Sequence, residues 1–195
     1  MSWPGAVTLS GAHAALVPLS AAHLAGLQDA TRDGELWRLW YTSVPSPEGM
    51  AAEIERRLAL QATGSMLPFT VLDGDGRICG MTTYMNIEAR HRRVEIGSTW
   101  YAKRVQRSAL NTECKLMLLT HAFDALGCIA VEFRTHRLNS QSRRAIERLG
   151  AQLDGLLRSH QISADGSLRD TAVYSIVAAE WPTVRAHLRF QLERR

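Results

Sequence analysis

Two stretches separated by four residues set the reading of the whole chain: Ile96-Gly97-Ser98-Thr99-Trp100-Tyr101 and Gln106-Arg107-Ser108-Ala109-Leu110-Asn111-Thr112-Glu113. The first closes a run from about Arg92 in which Val94, Ile96, Ser98 and Trp100 alternate with Arg93, Glu95, Gly97 and Thr99, the period-two pattern of a half-buried strand. The second opens a run to Leu126 with Leu110, Cys114, Met117, Leu118, His121 and Ala125 at helical spacing, stopped by Gly127. A strand that feeds a helix through a short loop leaves the first N–H groups of the helix without internal acceptors. Capping or an anion can satisfy them, and the residues alone leave both readings open.

Upstream, the pattern predicts a strand over Ala12 to Pro18, a helix capped by Ser20 and running to Ala30, and a second helix from Pro47 to Ala62. The connection between these helices carries the aromatic cluster Trp37, Trp40 and Tyr41. Phe69 to Leu72 and Ile78 to Tyr84 flank Asp73-Gly74-Asp75-Gly76 and read as a hairpin. Downstream, Ile129 to His136 alternates as a strand, and a short helix begins after Asn139 and ends at Gly150. Strands over Gln152 to Gln161 and Asp170 to Ala178 flank the turn 163–167, and a last helix starts near Glu180. Seven strands around one mixed, mostly antiparallel sheet with flanking helices predict an α+β fold.

At 195 residues and 46% apolar, the chain fits a single domain over 1–195. The net charge of +4 is uneven: Arg90 to Arg107 carries +5, Arg134 to Arg148 carries +4, and the remainder carries −5. Two basic stretches on an otherwise acidic chain suggest one compact anionic partner. The stretch Met1 to Leu27 has neither a basic leader nor a continuous apolar core, so neither a signal peptide nor a membrane span is expected there. Cys79, Cys114 and Cys128 are odd in number and lack metal-ligand spacing, which points to reduced thiols and a cytoplasmic location. Motifs for a nucleophile elbow, a Walker loop, a zinc helix, a dinucleotide fingerprint and a C-x-x-C pair are all missing. No metal is expected. Nucleic acid is disfavoured as a partner, because the basic stretches lack interleaved aromatics and a helix-turn-helix pattern.

The two opening stretches, together with Asn139-Ser140-Gln141-Ser142, Ile146-Glu147-Arg148-Leu149-Gly150-Ala151 and Arg169-Asp170-Thr171-Ala172-Val173-Tyr174-Ser175, resemble the GNAT superfamily of acyl-CoA-dependent N-acetyltransferases, in particular its RimJ/RimL-like branch. The resemblance covers most of the chain and is collinear with the order of elements. It implies the GNAT fold and acetyl-CoA as cosubstrate. The pyrophosphate would lie on the backbone of Gln106, Arg107, Ser108, Ala109, Leu110, Asn111 and Thr112, beside Trp100 and Tyr101. Arg107, Ala109 and Asn111 stand where the family more often has small residues. Asn139 would contact the pantetheine arm, and Arg143 or Arg144 the ribose phosphate. Direct attack of an amine on the thioester needs a base, an oxyanion donor and an acid. Glu95 is the candidate base and a backbone N–H near Thr99 or Trp100 the candidate donor. Ser142 is the candidate acid, because no tyrosine occurs between Leu138 and Gly150.

Trp37, Trp40, Tyr41 and Tyr84 are the candidates for the acceptor pocket, which would suit an amine on a peptide-like or apolar body, although aromatics at such spacing are more often packing than pocket. The missing tyrosine also leaves open a CoA-binding sensor without catalysis. A homodimer through the outer strands or the last helix is compatible with such a fold.

Overall fold

The computed structural model describes residues 3–163 and 165–194; Ala164, within the expected turn 163–167, lies outside the described residues. Eight strands form one sheet: β1 (Leu9–Ser10), β2 (Ala14–Pro18), β3 (Met66–Asp73), β4 (Ile78–Glu88), β5 (Arg93–Tyr101), β6 (Ala130–His136), β7 (Gln152–Ile162) and β8 (Leu168–Val177). Their spatial order is β1-β2-β3-β4-β5-β6-β8-β7. Every pairing is antiparallel except β5 with β6, which is parallel. The helices are α1 (Leu24–Arg32), α2 (Met50–Ala62), α3 (Leu110–Thr120), α4 (Ser140–Glu147) and α5 (Trp181–Glu193).

The expected strand count of seven is one too low. The additional strand, β1, is only two residues long, too short to show any periodicity. It pairs with β2, and the carboxylate of Glu113 on α3 accepts hydrogen bonds from the amides of Ala12 and His13 at 2.9 and 2.6 Å. The second helix starts at Met50 rather than Pro47.

The sheet has two differently covered faces. Val94 and Ile96 of β5, Val131 and Phe133 of β6 and Tyr174 and Ile176 of β8 pack with Leu110 and Leu118 of α3 and Leu188 of α5. Each fully buried side chain of this size contributes roughly 1.5–3 kcal/mol. On the opposite face, Met81 and Trp100 pack with Leu27, Met50 and Ile54 of α1 and α2.

Period-two alternation puts Val94, Ile96 and Trp100 on one face, and the structure separates them. Pairing jumps from Met81↔Trp100 to Thr83↔Gly97, and Ser98 has φ +48°. This is a β-bulge: one extra residue in β5 reverses the facing of everything after it, so Trp100 joins the α1/α2 side. The last turn of the α3 segment also departs from expectation, widening to a π-turn over His121–Ala125. The Tyr84 hydroxyl donates to the Leu118 carbonyl at 2.5 Å, occupying an acceptor of the α-helical ladder, and such an insertion is a known cause of local widening.

Candidate active site

The parallel pairing of β5 and β6 lasts three residues, Arg93↔Ala130, Val94↔Val131 and Glu95↔Glu132. Beyond Glu95 the strands diverge, and the β6-facing backbone groups of β5 have no strand partner among the described residues. The bulge at Ser98 falls inside this opening.

Glu95 stands at the apex of the opening, on the face opposite Val94 and Ile96. It is 4% exposed. Asn86 Nδ2 donates to its Oε2 at 2.7 Å, and Arg134 Nε lies 3.5 Å from the same oxygen. Burial pushes the carboxyl above its usual range, opposed by the Asn86 hydrogen bond and the charge of Arg134. Gly97 leaves room for it, since a Cβ there would lie 2.8 Å from Glu95 Oε1.

The same alternation places Glu132, Arg134 and His136 of β6, and Arg169, Thr171 and Val173 of β8, on the Glu95 face, because their odd and even neighbours fill the α3 side. Trp40 stacks edge-on against His136 with ring centroids 5.1 Å apart and contacts Tyr41 at 5.6 Å. The loop between α1 and α2 therefore reaches the open end of β6. Helices α1 and α2 pack over β4 and β3. Over β6, β8 and β7 this face holds an open cavity of about 620 Å³, lined in part by Arg93, Glu132, Arg134, Asp154, Leu157 and Val173.

On the α3 side, Arg107 takes a left-handed φ of +62° and turns the chain into α3. Gln106 Nε2 donates to the Tyr101 carbonyl at 2.9 Å, and the Ser108 hydroxyl donates to Val105 and accepts from the Leu110 amide. The amides of Asn111 and Thr112 have no internal acceptor among the described residues and emerge at the positive end of the helix dipole. Asn139 caps α4, its Oδ1 accepting from the Ser142 amide at 2.9 Å. Among the described residues, no group of three or more His, Cys, Asp or Glu side chains is arranged to hold a metal ion, and no helix is long and apolar enough to cross a membrane.

With this geometry in place, the chain can be compared with known proteins. The Acetyltransferase (GNAT) domain family matches residues 14–152. The chain belongs to the GNAT acetyltransferase family. It is 32% identical over 107 residues to YdaF of Bacillus subtilis (strain 168), named as a candidate ribosomal N-acetyltransferase; the match covers 55% of this chain and 57% of YdaF. A crystal structure of an acetyltransferase from T. thermophilus is 33% identical, covers 97% of this chain and 99% of its own, and has a TM-score of 0.85. RimJ of Mycobacterium smegmatis, solved in complex with CoA-disulfide, is 24% identical with a TM-score of 0.79 over 98% of this chain and 96% of its own, a likeness of fold.

Within this GNAT fold several residues sit differently from their sequence-based expectation. Tyr84 does not line an acceptor pocket: it is fully buried on the α3 side, its hydroxyl on Leu118 and its ring stacked on His121. Trp100 is buried in the α1/α2 cluster, and Tyr101 turns its ring into the core beside Cys114. Leu110 and Thr112 are likewise buried. These residues can meet a ligand only through their backbones.

Arg143 is held internally, its Nε donating to the Tyr174 hydroxyl at 2.8 Å, and Tyr174 donating to Glu147 at 2.7 Å. Ser142 lies on the first turn of α4, partly exposed, and Trp37 lies in a turn of 3-10 helix ahead of Trp40.

The idea that both basic stretches converge on one anion needs correcting too. The length of β5 separates Arg90, Arg92 and Arg93 from Lys103, Arg104 and Arg107, and Arg93 and Arg134 both pair with Glu132 on the Glu95 face. Periodicity marked Glu95 but gave no hint of Asn86, Arg134, His136 and Arg169. The alternation that gives Arg134 and His136 one face of β6 and Arg169 one face of β8 was readable, yet it acquires meaning only once the strand order is known.

Proposed function

We propose that the protein is an acetyl-CoA-dependent N-acetyltransferase in which an amine attacks the thioester directly. The observation that carries this reading is the opening past Glu95↔Glu132, with a buried, proton-accepting carboxyl on one face and the free amides of the α3 N-terminus on the other. The backbone edge of β5 beyond Glu95 suits an extended, amide-bearing arm, which would otherwise leave those groups unpaired. The Asn111 and Thr112 amides, with Arg107 at the turn, suit a pyrophosphate.

In this reading Glu95 takes the proton of the attacking amine. A β5 amide near the bulge holds the developing oxyanion, and Ser142 supplies a proton as the thiolate departs. Trp40, Tyr41 and His136 form the rim on the acceptor side, and the cavity over β6, β8 and β7 gives room for a body attached to the amine. Its size falls within the usual range for binding sites. These features favour an amine on a peptide-like body, such as a protein N-terminus.

Mass spectrometry of the protein incubated with acetyl-CoA and a panel of N-terminal peptides and small amines tests this reading. Acetylated peptide is the expected product. Retention of CoA with no product from any amine would make the chain a CoA-binding sensor, a reading favoured by the missing tyrosine on α4; failure to bind CoA would overturn both.

A further inference from the structure

Arg169 lies near the start of β8, in the Arg169-Asp170-Thr171 run. Its Nε is buried without a hydrogen-bond partner, and no ion pair reaches its guanidinium among the described residues. The acids around it are engaged elsewhere. Asp170, the next residue, faces the other way, pairing with Arg137 at 3.2 Å and accepting from the Ser159 amide. Glu132 is taken by Arg93 and Arg134, and Glu95 by Asn86 and Arg134.

A half-buried guanidinium left in this state is costly, and Arg is the side chain best suited to hold a planar oxygen acceptor through paired N–H groups. Its position is specific. Arg169 shares the Glu95 face of β8 with Thr171, which lies opposite His136. Its charge acts on both Glu95 and His136, favouring the ionised carboxylate and opposing protonation of the ring. The unpaired cation therefore shares the face of the candidate base and lies just past the Trp40-covered His136↔Thr171 pair on β8.

We propose that Arg169 selects α-amino acceptors by donating to the carbonyl or carboxylate oxygen adjacent to the amine that Glu95 deprotonates. The assignment rests on the reading of Glu95 as the base of an N-acetyltransferase. An amine with no neighbouring oxygen would leave the guanidinium unpaired, so the site would discriminate against it much as a hydrogen-bonding site discriminates against an analogue lacking the partner group. A peptide N-terminus offers a carbonyl and a free amino acid a carboxylate; both present the same chemistry to Arg169.

The test compares alanyl-glycine amide, free alanine and isopropylamine, measuring binding to the full chain by calorimetry and acetyl transfer from acetyl-CoA by kcat/KM. The wild type should favour at least one of the two oxygen-bearing acceptors over isopropylamine. Preference for the dipeptide amide identifies the carbonyl as the ligand, and preference for alanine the carboxylate. Arg169→Met should shrink that preference by roughly tenfold to a hundredfold in binding and in kcat/KM, and Arg169→Lys should restore part of it. Acetyl-CoA affinity and thermal midpoint serve as folding controls.

A wild type that binds isopropylamine as well as both other probes, or a preference unchanged in Arg169→Met, overturns the assignment. Discriminating binding without acetyl transfer would instead sink the enzymatic reading and leave the oxygen site standing. Indiscriminate transfer to all three amines would do the reverse.

Discussion

The side-chain amide of Asn86 donates to Oε2 of Glu95 at 2.7 Å, linking the bend of β4 to a carboxylate that is almost wholly buried on β5. This bond supports the charged form of Glu95 against the burial that disfavours it. Asn86 itself has φ +46°, so glycine can replace it without backbone strain. If Glu95 is the base, Asn86→Gly should raise its pKa further and move the acid limb of the kcat/KM profile up by about one pH unit. A profile that does not move would separate the two residues functionally.

Glu95→Gln should lower kcat by a hundredfold or more, the usual weight of a general base, while raising thermal stability at neutral pH. The sign follows from linkage. The folded-state pKa of Glu95 is raised, so its favourable contribution is full below about pH 4.5 and is lost as pH rises through the folded value. At neutral pH the buried charge is a net cost that glutamine removes. Calorimetric melting at pH 4 and pH 7 checks this, with the difference between variant and wild type growing at the higher pH.

Lys115 offers a second pH signature. Its Nζ donates to Thr99 Oγ1 at 3.0 Å, and burial lowers its pKa from 10.5 to about 8. The penalty of keeping this ammonium charged is fully present below pH 8 and vanishes as pH rises towards the unfolded value, so stability increases with pH between those limits. The drop corresponds to about 3 kcal/mol. Lys115→Met should be more stable than wild type at pH 7 and lose that advantage by pH 10, as read from denaturant midpoints.

Ser142→Ala should reduce kcat roughly tenfold or more with little change in acetyl-CoA affinity, and an unaltered kcat would remove Ser142 from the chemistry. Asn139→Ala deletes the cap that holds the Ser142 amide. It should cost about 1 kcal/mol of stability and weaken acetyl-CoA use, measured by denaturant unfolding and by KM.

Tyr84→Phe tests the origin of the π-turn. With the hydroxyl gone from Leu118, the widened turn over His121–Ala125 loses its cause, and amide hydrogen exchange across 121–126 should change while the strands keep their protection.

The candidate site was only partly legible in the chain. Glu95 could be picked out because it alternates with the apolar Val94 and Ile96 along the strand. Asn139 could be picked out because a strand end, an Asn and a short amphipathic run form a recognisable cap. His136 could not be connected to Glu95 because β6 joins β5 only through a three-residue parallel pairing, and Arg169 could not because β8 follows β6 in the sheet, an order that skips β7. Tyr84 went wrong for a related reason: alternation says which residues share a face, but not which face meets the acceptor.

What the sequence by itself determined is the set of elements and their punctuation: the Asp73–Gly76 turn, the caps at Ser20 and Asn139, the stop at Gly127, and the apolar stripe of α3. These arise from short-range forces, namely backbone sterics, capping hydrogen bonds and hydrophobic period. The tertiary structure alone decided where β5 and β6 part, how the Ser98 bulge turns Trp100 to the other face, and which cation is left unpaired on the Glu95 face. Those features depend on contacts between residues far apart in the chain, where register and strand order select the neighbours and burial makes each unsatisfied group costly.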